Sequence, residues 1–436
     1  MAERRKRIVV VGGGAAGLGL CRSLSKRFRG THEVTLVDRN RSHVWKPLLH
    51  EIAAGALDPN LEEIGYGGHA ARWGYRFFQG ALERIDREKR VVVTEPLLDE
   101  DGDVLLDRHE LPYDWLVLAF GGVSNDLGIP GVNEHALFLE HRVQADRFRQ
   151  KLLNACLRVN AARVAGQGDA TLPIVIVGGG ATGVELSAEL VHAARSLRSY
   201  GLEGFEAEAM RITLLEAGPR LLPALGEDVV EKVTAELRDI GVDVRTDTKV
   251  TEVRSDGVTT GDGEEIPAKL ILWATGVRGD PGVESMSDLE LSKLDRIVVH
   301  PTLQSVTDDR ILAIGDCAHC ELPGRDGPVP PRAQAANQMA DHVPDVIAAV
   351  EAGRTPPNFV YRDYGALVSL SHFDAVGTLM GNIAGGRVAI EGWLARMAYN
   401  SLYRLHILSV HGKIRGTAQL IANRIGRAAR PRMKLH

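Results

Sequence analysis

Two stretches of the chain carry glycines at a spacing suited to holding a phosphate-bearing dinucleotide. In the first, a β-branched run enters Gly12-x-Gly14-x-x-Gly17, a helical pattern follows, and the next strand ends at Asp38. The first glycine permits a tight turn, the second lets a pyrophosphate approach the helix N-terminus, and the third lets helix and strand pack closely. An acid at the end of the second strand accepts from ribose hydroxyls. The pattern therefore predicts a dinucleotide site that includes the backbone of Ala15 and Ala16.

The same pattern recurs in the middle of the chain. Residues 173–183 read PIVIVGGGATG and place Gly178, Gly180 and Gly183 at the same spacing, with Thr182 in the turn. The next strand ends at Glu216, and an acid there favours the free 2′-hydroxyl of NADH over the 2′-phosphate of NADPH. Arg220 could soften that preference, but a solvated loop charge is the favoured interpretation. Two such sites in one chain suggest two different dinucleotides.

Three hydrophobic strands, each ending in a turn of small residues, add to the evidence for two dinucleotide sites. They are DWLVLAFGG (114–122, with Ala119 and Gly121), KLILWATGV (269–277, with Thr275 and Gly276) and RILAIGDCAHC (310–320, with Gly315 and Asp316). Together with the glycine turns they resemble the two-dinucleotide-binding-domain flavoproteins. The resemblance implies FAD on the first unit and NAD(P)H on the second, with Asp316 binding the ribityl chain or phosphates of FAD. Phe120 departs from the family, which usually has Thr there.

The order of these motifs implies an α/β fold with two Rossmann-like domains, in which an NADH-binding domain is inserted into the FAD-binding domain. The expected divisions are residues 1–125 and 291–380 for FAD, 126–164 for a linker helix region, 165–290 for NADH, and 381–436 for a basic amphipathic membrane-anchoring region. The length of 436 residues suits two or three domains. The start MAERRKRIVVVGGG is not typical of a signal peptide, and no stretch of about 18 apolar residues predicts a transmembrane helix.

The four cysteines are too few and too scattered to predict a disulfide framework. Cys317 and Cys320 have the spacing of a redox or metal pair, but they directly follow the Gly315-Asp316 turn rather than a position beside a reactive ring. Structural thiols are therefore the favoured interpretation over a catalytic pair. A metal site would need more ligands than His319 and these two cysteines, so we predict none.

Gln334 and Gln338 lie four residues apart and would share one face of a helix. Two amides beside Ala333 and Ala336 could hydrogen-bond to the carbonyl of a flat apolar ring. From spacing alone, an ordinary polar helix face is the better interpretation.

A family resemblance favours the ring-binding interpretation of the two glutamines over an ordinary polar face. Four segments, which follow one another along nearly the full chain, resemble the bacterial type II NADH:quinone oxidoreductases, especially the proteobacterial branch. They are HVWKPLLHEIAAG (43–55), TGVE (182–185), AQAANQ (333–338) and the tail beginning SLYRLHILSVHGK. The resemblance implies hydride transfer from NADH to FAD and electron transfer to a quinone, ubiquinone being favoured, without proton pumping. It implies that Gln334 and Gln338 line the quinone pocket and that Glu185 lies near the nicotinamide. Lys46 would contact the flavin ring, as a hypothesis.

The end of the chain is strongly basic. From residue 392 to 436 there are nine Lys or Arg and no Asp or Glu. Apolar residues recur at helical spacing over 393–408, Gly412 predicts a helix stop, and a second helix carries Ile414, Ala418, Ile421, Ile425 and Ala428 on one stripe before Pro431. A basic amphipathic helix pair indicates binding to an anionic membrane surface, with Trp393, Tyr399 and Tyr403 at the headgroup level. We do not expect nucleic-acid binding; dimerisation through the tail stays open.

Three alternatives remain at this stage. A sulfide:quinone oxidoreductase would need paired cysteines near the flavin and no intact NAD site. A non-enzymatic NADH-sensing flavoprotein would recruit a partner through the basic tail. A soluble disulfide reductase fits least. The favoured prediction is a peripheral enzyme on the cytoplasmic face of the bacterial inner membrane.

Overall fold

The computed structural model describes residues 4–370, 374–380, 387–391 and 403–428. The chain forms two compact units. The first comprises Met1–Trp45, Glu63–Val123 and Val277–Asp363, and the second comprises Lys46–Glu62, Ser124–Gly276 and Tyr364–His436.

A five-stranded parallel sheet forms the centre of the first unit. Its strands, in spatial order, are Ile311–Ala313, Trp115–Leu118, Lys6–Val11, His32–Asp38 and Arg76–Gln79. Ile8, Val9, Val10 and Val11 are all buried, as expected for a parallel strand covered on both faces. Helices Ala15–Arg27 and Ala333–Glu351 pack against each other in this unit.

Smaller elements complete the first unit. An antiparallel sheet is formed by Leu82–Asp86, Val91–Thr94 and His109–Pro112. The short strands are Ser42–His43, Ile64–Gly65, Leu97–Leu98, Val104–Leu106, Ile297–Val299 and Ala318–Cys320, and the short helices are Tyr66–Trp73, Val283–Met286 and the 3₁₀ turn Gly315–Cys317. Strands Val123–Ser124 and Val277–Arg278 lie where the chain passes from one unit to the other.

Glu351, the last residue of helix Ala333–Glu351, ties that helix to the central sheet. One of its carboxylate oxygens accepts from Trp115 Nε1 at 3.0 Å and lies 3.0 Å from both His32 Nε2 and Lys6 Nζ. Burial raises the pKa of this carboxyl, but the contacts with His32, Trp115 and Lys6 outweigh burial and hold the pKa below its usual value.

The second unit is built on a four-stranded parallel sheet with a second antiparallel sheet beside it. The parallel strands are Asp243–Arg245, Met210–Leu215, Leu172–Val177 and Leu270–Trp273, and the antiparallel strands are Val250–Arg254, Gly257–Thr260 and Glu265–Pro267. The helices are Leu49–Ala54, Pro59–Glu62, Val132–His135, Arg142–Val164, Ala181–Ser196 and Glu227–Asp239, with 3₁₀ turns at Lys46–Leu48, Leu197–Tyr200 and Ala207–Ala209.

The two units divide the chain differently from the sequence-based boundaries. The first unit resumes at Val277 rather than at 291, because the second parallel sheet is complete once strand Leu270–Trp273 ends. The region 126–164 belongs to the second unit instead of forming a linker. Segment 46–62 also belongs there, since its helix Leu49–Ala54 packs on helices Arg142–Val164 and Ala181–Ser196.

The C-terminal part of the second unit contains an antiparallel sheet of Gly365–Leu370, Asp374–Met380 and Arg387–Glu391, followed by helical residues 403–411 and helix Lys413–Ala428. Gly412 separates the two helices with a φ of 77°, and its N–H donates to the carbonyl of Leu408, so the predicted stop is confirmed. The expected helix start near Trp393 and end at Pro431 lie outside the described residues. In the part of the chain that the structure describes, no helix is long and apolar enough to cross a membrane.

A buried carboxylate holds the C-terminal helices to segment 46–62. Glu62 is 4% exposed; the Tyr403 hydroxyl donates to its Oε2, and Asn423 Nδ2 donates to the same oxygen at 3.2 Å. Gln419 in turn donates to Asn423 Oδ1 at 2.9 Å. Tyr403 therefore does not direct its hydroxyl to a headgroup layer, as the sequence suggested, because a buried carboxylate requires hydrogen-bond donors.

Acid should destabilise the first unit through His43. Burial, followed by repulsion from His69, lowers the pKa of this 6%-exposed imidazole to about 4. A histidine with a folded pKa below its unfolded value contributes stability above pH ~6.5 and loses it as the pH falls towards 4. Between pH 7 and pH 5, wild type should lose about 2 kcal/mol more unfolding free energy than His43→Gln.

Urea unfolding at both pH values, followed by tryptophan fluorescence, measures the difference. His109→Gln, which removes an exposed imidazole, is the control and should behave as wild type does. Parallel pH dependence of wild type and His43→Gln would contradict the prediction.

Candidate functional site

At two positions of the first glycine turn, the neighbouring main chain leaves no room for a side chain. Gly12 has a φ of 103°, and a Cβ there would lie 2.5 Å from the carbonyl oxygen of Ala119. A Cβ on Gly17 would lie 1.9 Å from the carbonyl oxygen of Gly12. Helix Ala15–Arg27 can therefore begin directly against the end of strand Lys6–Val11.

The start of this helix has the character of an anion site. Space around Gly14 is open, no side chain caps the helix, and its first turn contains no acidic residue. The N–H groups of Ala15 and Ala16 belong to this first turn, where main-chain donors and the helix dipole favour negative charge. The residues present fit a dinucleotide pyrophosphate.

Asp38 closes the turn from the neighbouring strand. Its Oδ2 accepts from the N–H of Gly13 at 2.7 Å, and its Oδ1 accepts from the N–H of Asn40 at 2.8 Å. Tyr66 donates to the carbonyl oxygen of Gly13 at 3.0 Å and its hydroxyl lies 3.4 Å from Oδ2 of Asp38. A carboxylate keeps acceptor capacity beyond these contacts, so Asp38 can also bind ribose hydroxyls.

Two further predicted turns lie at the same edge of the first sheet. Ala119 to Gly121 follow strand Trp115–Leu118, and Gly315 and Asp316 follow strand Ile311–Ala313. Trp115–Leu118 pairs in parallel with Lys6–Val11, and Ile311–Ala313 pairs in parallel with Trp115–Leu118, so the carboxyl ends of these strands share one edge of the sheet. Ligands of open parallel sheets bind at this edge. The first unit thus brings the glycine turn, Asp38 and these two turns, all assigned to FAD, to one sheet edge, whereas Lys46 lies in the second unit.

The second glycine turn repeats the geometry of the first. Gly178 has a φ of 114°, and a Cβ on Gly183 would lie 2.0 Å from the carbonyl oxygen of Gly178. Space around Gly180 is open. The first turn of helix Ala181–Ser196 includes Thr182 and contains no acidic residue. The residues fit a second pyrophosphate.

Glu216 takes the place in the second unit that Asp38 takes in the first. Its Oε2 accepts from the N–H of Gly179 and its Oε1 from the N–H of Gly218, both at 2.7 Å. Arg220 donates to the carbonyl of Pro223 at 3.2 Å and lies 3.8 Å from Glu227. Its charge is thus directed along its own loop, which agrees with the interpretation as a loop charge.

Thr275 and Gly276 follow strand Leu270–Trp273, the neighbour of strand Leu172–Val177. The Thr275 hydroxyl donates to the carbonyl of Asn125 at 2.6 Å, and Trp273 Nε1 donates to the same oxygen at 2.8 Å. The turn at the end of this strand is therefore fixed within the second unit beside the glycine turn.

Glu185 is buried in the second turn of helix Ala181–Ser196. It is 6% exposed, and its Oε2 lies 3.4 Å from Nδ1 of His50, which is 4% exposed. Burial lowers the pKa of His50 to about 4, opposed by a hydrogen bond to the backbone of Pro47, so the imidazole is neutral at pH 7. Sequence reasoning missed His50, although it lies inside the motif HVWKPLLHEIAAG, and it also missed the buried Glu189 one turn further on.

Lys46 opens the 3₁₀ turn Lys46–Leu48, immediately before the helix that carries His50, and its side chain is exposed. It belongs to the second unit.

The two glutamines lie near the start of helix Ala333–Glu351 and contact the segment that ends the first unit. Gln334 Nε2 donates to Asp363 at 3.2 Å, while Gln338 donates to the carbonyl of Arg362 at 2.8 Å and accepts from its N–H at 2.9 Å. On the same helix, Ala336 faces Gly315, where a Cβ would meet it at 3.3 Å. This helix therefore presents the small side chain of Ala336 to the Gly315-Asp316 turn and the amide groups of Gln334 and Gln338 to residues 362–363.

Cys317 and Cys320 are buried free thiols. Burial raises the pKa of each to about 12, and Cys317 Sγ lies 3.2 Å from the carbonyl oxygen of Ile314. Protonated thiols in such surroundings are poor nucleophiles, which supports the structural interpretation. Among the residues that the structure describes, no three His, Cys, Asp or Glu side chains gather as a metal site requires.

Comparison with known proteins places this arrangement in a family. The pyridine nucleotide-disulphide oxidoreductase family model matches residues 6–340. A type II NADH:quinone oxidoreductase of Haemophilus influenzae is 41% identical, with 99% of this chain and 100% of that protein covered. A type II NADH:quinone oxidoreductase of Staphylococcus aureus is 31% identical, with 89% and 93% covered.

Solved structures share the fold. NDH2 from Plasmodium falciparum in complex with NADH has a TM-score of 0.81 at 17% identity, covering 99% of this chain and 100% of that one. The sulfide:quinone oxidoreductase of Aquifex aeolicus has a TM-score of 0.71 at 19% identity, covering 94% and 92%. At these identities the structural likeness concerns the fold alone. The relatives at 41% and 31% identity confirm the resemblance that the motifs predicted. The chain belongs to the type II NADH:quinone oxidoreductases, within the pyridine nucleotide-disulphide oxidoreductase family.

Proposed function

We propose that the chain is a FAD-dependent NADH:quinone oxidoreductase, which passes a hydride from NADH to FAD and two electrons on to a membrane quinone without pumping protons. The observation that carries this proposal is the presence of two dinucleotide turns in one chain, each closed by a carboxylate on the middle glycine. The relatives from Haemophilus influenzae and Staphylococcus aureus are both named type II NADH:quinone oxidoreductase, which supports the proposal.

The first unit holds FAD. Asp38 would accept from the ribose hydroxyls, the N–H groups of Ala15 and Ala16 would bind the pyrophosphate, and Asp316 would bind the ribityl chain or phosphates. When bound, FAD supplies the hydride acceptor and the electron store, while the chain supplies orientation and excludes water. Ala119, Gly121 and Gly315 leave space for this ligand at the sheet edge.

The second unit holds NADH. Glu216 accepts from the adenosine ribose hydroxyls and repels a 2′-phosphate, which favours NADH over NADPH. Gly180 and Thr182 open the helix whose N-terminus faces the pyrophosphate, and Thr275 and Gly276 line the neighbouring strand end. We assign Glu185, supported by His50, to the nicotinamide end of this site. The assignment of Lys46 to the flavin ring rests on family resemblance.

Gln334 and Gln338 line the quinone pocket in this proposal, with ubiquinone as the favoured quinone. Amide groups suit the carbonyl oxygens of a quinone ring, and Ala333 and Ala336 leave the helix surface small. The two amides are bonded differently: Gln334 contacts a side chain and Gln338 contacts main chain. Gln338 thereby also fixes the main chain of residue 362.

We propose that the basic tail binds the cytoplasmic face of the inner membrane, as a peripheral attachment. Ile414 and Ile421 on helix Lys413–Ala428 are 89% and 56% exposed, and Leu405 on the preceding helix is 62% exposed. Lys413 and Arg415 flank this apolar face and are exposed as well. An exposed apolar stripe beside basic residues suits an anionic bilayer surface. The same stripe would also serve a homodimer, which vesicle binding distinguishes.

Anaerobic absorbance of the purified protein tests the two half-reactions. NADH should bleach the flavin band, and a short-chain ubiquinone added afterwards should restore it. NADPH should bleach it far more slowly, because of Glu216. Bleaching without recovery would contradict a quinone acceptor, and no bleaching by NADH would overturn the proposal. An NADH sensor without enzymatic turnover predicts no sustained NADH oxidation when quinone is in excess.

Thiol chemistry should not contribute to turnover. Cys317→Ser and Cys320→Ser should each keep most of the NADH:quinone activity, because both thiols are buried and protonated. Sulfide should not replace NADH as the electron donor. Loss of activity in a folded, flavin-loaded variant, or flavin bleaching by sulfide, would favour a disulfide reductase or a sulfide:quinone oxidoreductase instead.

The tail proposal is tested by flotation with vesicles that contain an anionic phospholipid. The double variant Ile414→Ser with Ile421→Ser should bind roughly tenfold more weakly, or worse, because two exposed apolar side chains lose their burial in the bilayer interface. Val143→Ser with Leu157→Ser changes two apolar residues of helix Arg142–Val164 that are 65% and 53% exposed, and this variant should bind as wild type does. Equal binding of both double variants would refute the tail as the contact.

A further inference from the structure

The two dinucleotide turns differ in the side chain that covers their middle glycine. A Cβ on Gly13 would lie 2.5 Å from the ring of Tyr66 and 2.6 Å from its hydroxyl. A Cβ on Gly179 would lie 2.5 Å from Cδ2 of Leu221. Each side chain is buried against its turn. The first turn is therefore covered by a phenol and the second by an aliphatic group.

The phenol adds a single O–H donor to the first turn, and this proton is shared between the Gly13 carbonyl and the ribose-binding carboxylate of Asp38. The Tyr66 hydroxyl donates to the Gly13 carbonyl at 3.0 Å and lies 3.4 Å from the Asp38 oxygen that accepts from the Gly13 N–H. Burial, and then the charge of Asp38, raises the pKa of Tyr66 well above its usual value, so the hydroxyl keeps its proton. The ring is positioned by Phe77, with a centroid separation of 5.2 Å.

The second turn satisfies the same groups without a side-chain donor. The carbonyl of Gly179 accepts from the N–H of Leu222 at 2.8 Å, and the two oxygens of Glu216 accept from the N–H groups of Gly179 and Gly218. Leu221 offers no donor to Glu216. Within the described residues, this carboxylate is therefore oriented by backbone N–H groups of the glycine turn and of its own loop.

We propose that Tyr66 is the positioning residue that makes the first dinucleotide a resident cofactor, and that Leu221 in the equivalent place leaves the second dinucleotide free to exchange. Tyr66 holds Asp38 in the orientation that receives the ribose hydroxyls, so that binding does not have to order this side chain. A substrate must leave after each turnover, and the second turn lacks this restraint. The inference rests on the proposed function, which assigns FAD to the first unit and NADH to the second.

The test is the rate at which flavin leaves the purified holoenzyme, followed by the rise in flavin fluorescence after dilution. Tyr66→Phe removes only the hydroxyl that Gly13 and Asp38 share, and it should release FAD about tenfold faster, the usual effect of losing one buried hydrogen bond. Tyr66→Leu, which copies the second turn, should release FAD at least as fast. Unchanged release from Tyr66→Phe would overturn the proposal.

Tyr75→Phe is the matched control. Tyr75 is also a buried tyrosine of the first unit, and its hydroxyl lies 2.6 Å from Nδ1 of His69. It should retain FAD as wild type does; equally fast release from Tyr75→Phe would mean that general loosening of the unit, and not Asp38, sets retention. Flavin release is measured without NADH or quinone, whereas bleaching by NADH is measured on wild type, so failure of one does not imply failure of the other.

Discussion

In each unit, one glycine of a helix's first turn lies against the carbonyl oxygen of the glycine that opens the turn. A single Cβ at Gly17 or Gly183 would come within 1.9 or 2.0 Å of that oxygen. Because no side chain intervenes, the helix N-terminus points at the sheet edge, and the middle glycine reaches the acid of the next strand. The anion site, the position of Asp38 or Glu216, and the room for a ligand all depend on this contact.

What the sequence could predict was set by local main-chain requirements. The glycine turns and the helix stop at Gly412 could be predicted because glycine is favoured where φ is positive or where two main-chain segments approach closely. The acids could be predicted because they follow these turns at a fixed place, the end of the next strand. Contacts between distant residues could not be predicted. Tyr66 reaches Gly13 across 53 positions, and Trp115 reaches Glu351 across 236. The spacing of residues in the sequence does not predict which buried side chains will contact each other. For the same reason, the contact between His50 and Glu185 could not be predicted.

The two glutamines show how equal spacing yields unequal surroundings. Both lie on one helix, as the four-residue interval predicted, yet one contacts a carboxylate and the other contacts main chain on both sides of its amide. Their partners come from residues 362 and 363, some twenty-five positions further along. The four-residue spacing predicts that both glutamines lie on the same face of the helix. The position of residues 362 and 363 then determines which groups each glutamine contacts.

Glu62 has a consequence for how this protein can be shortened. Its carboxylate is 4% exposed and takes two of its hydrogen bonds from Tyr403 and Asn423. A truncation before residue 403, designed to obtain a form without the basic tail, would remove both donors from a buried charge near helix Leu49–Ala54. The tail is thus an internal part of the second unit as well as the surface proposed to attach to the membrane. Point substitutions on its exposed face separate the two roles, whereas deletion does not.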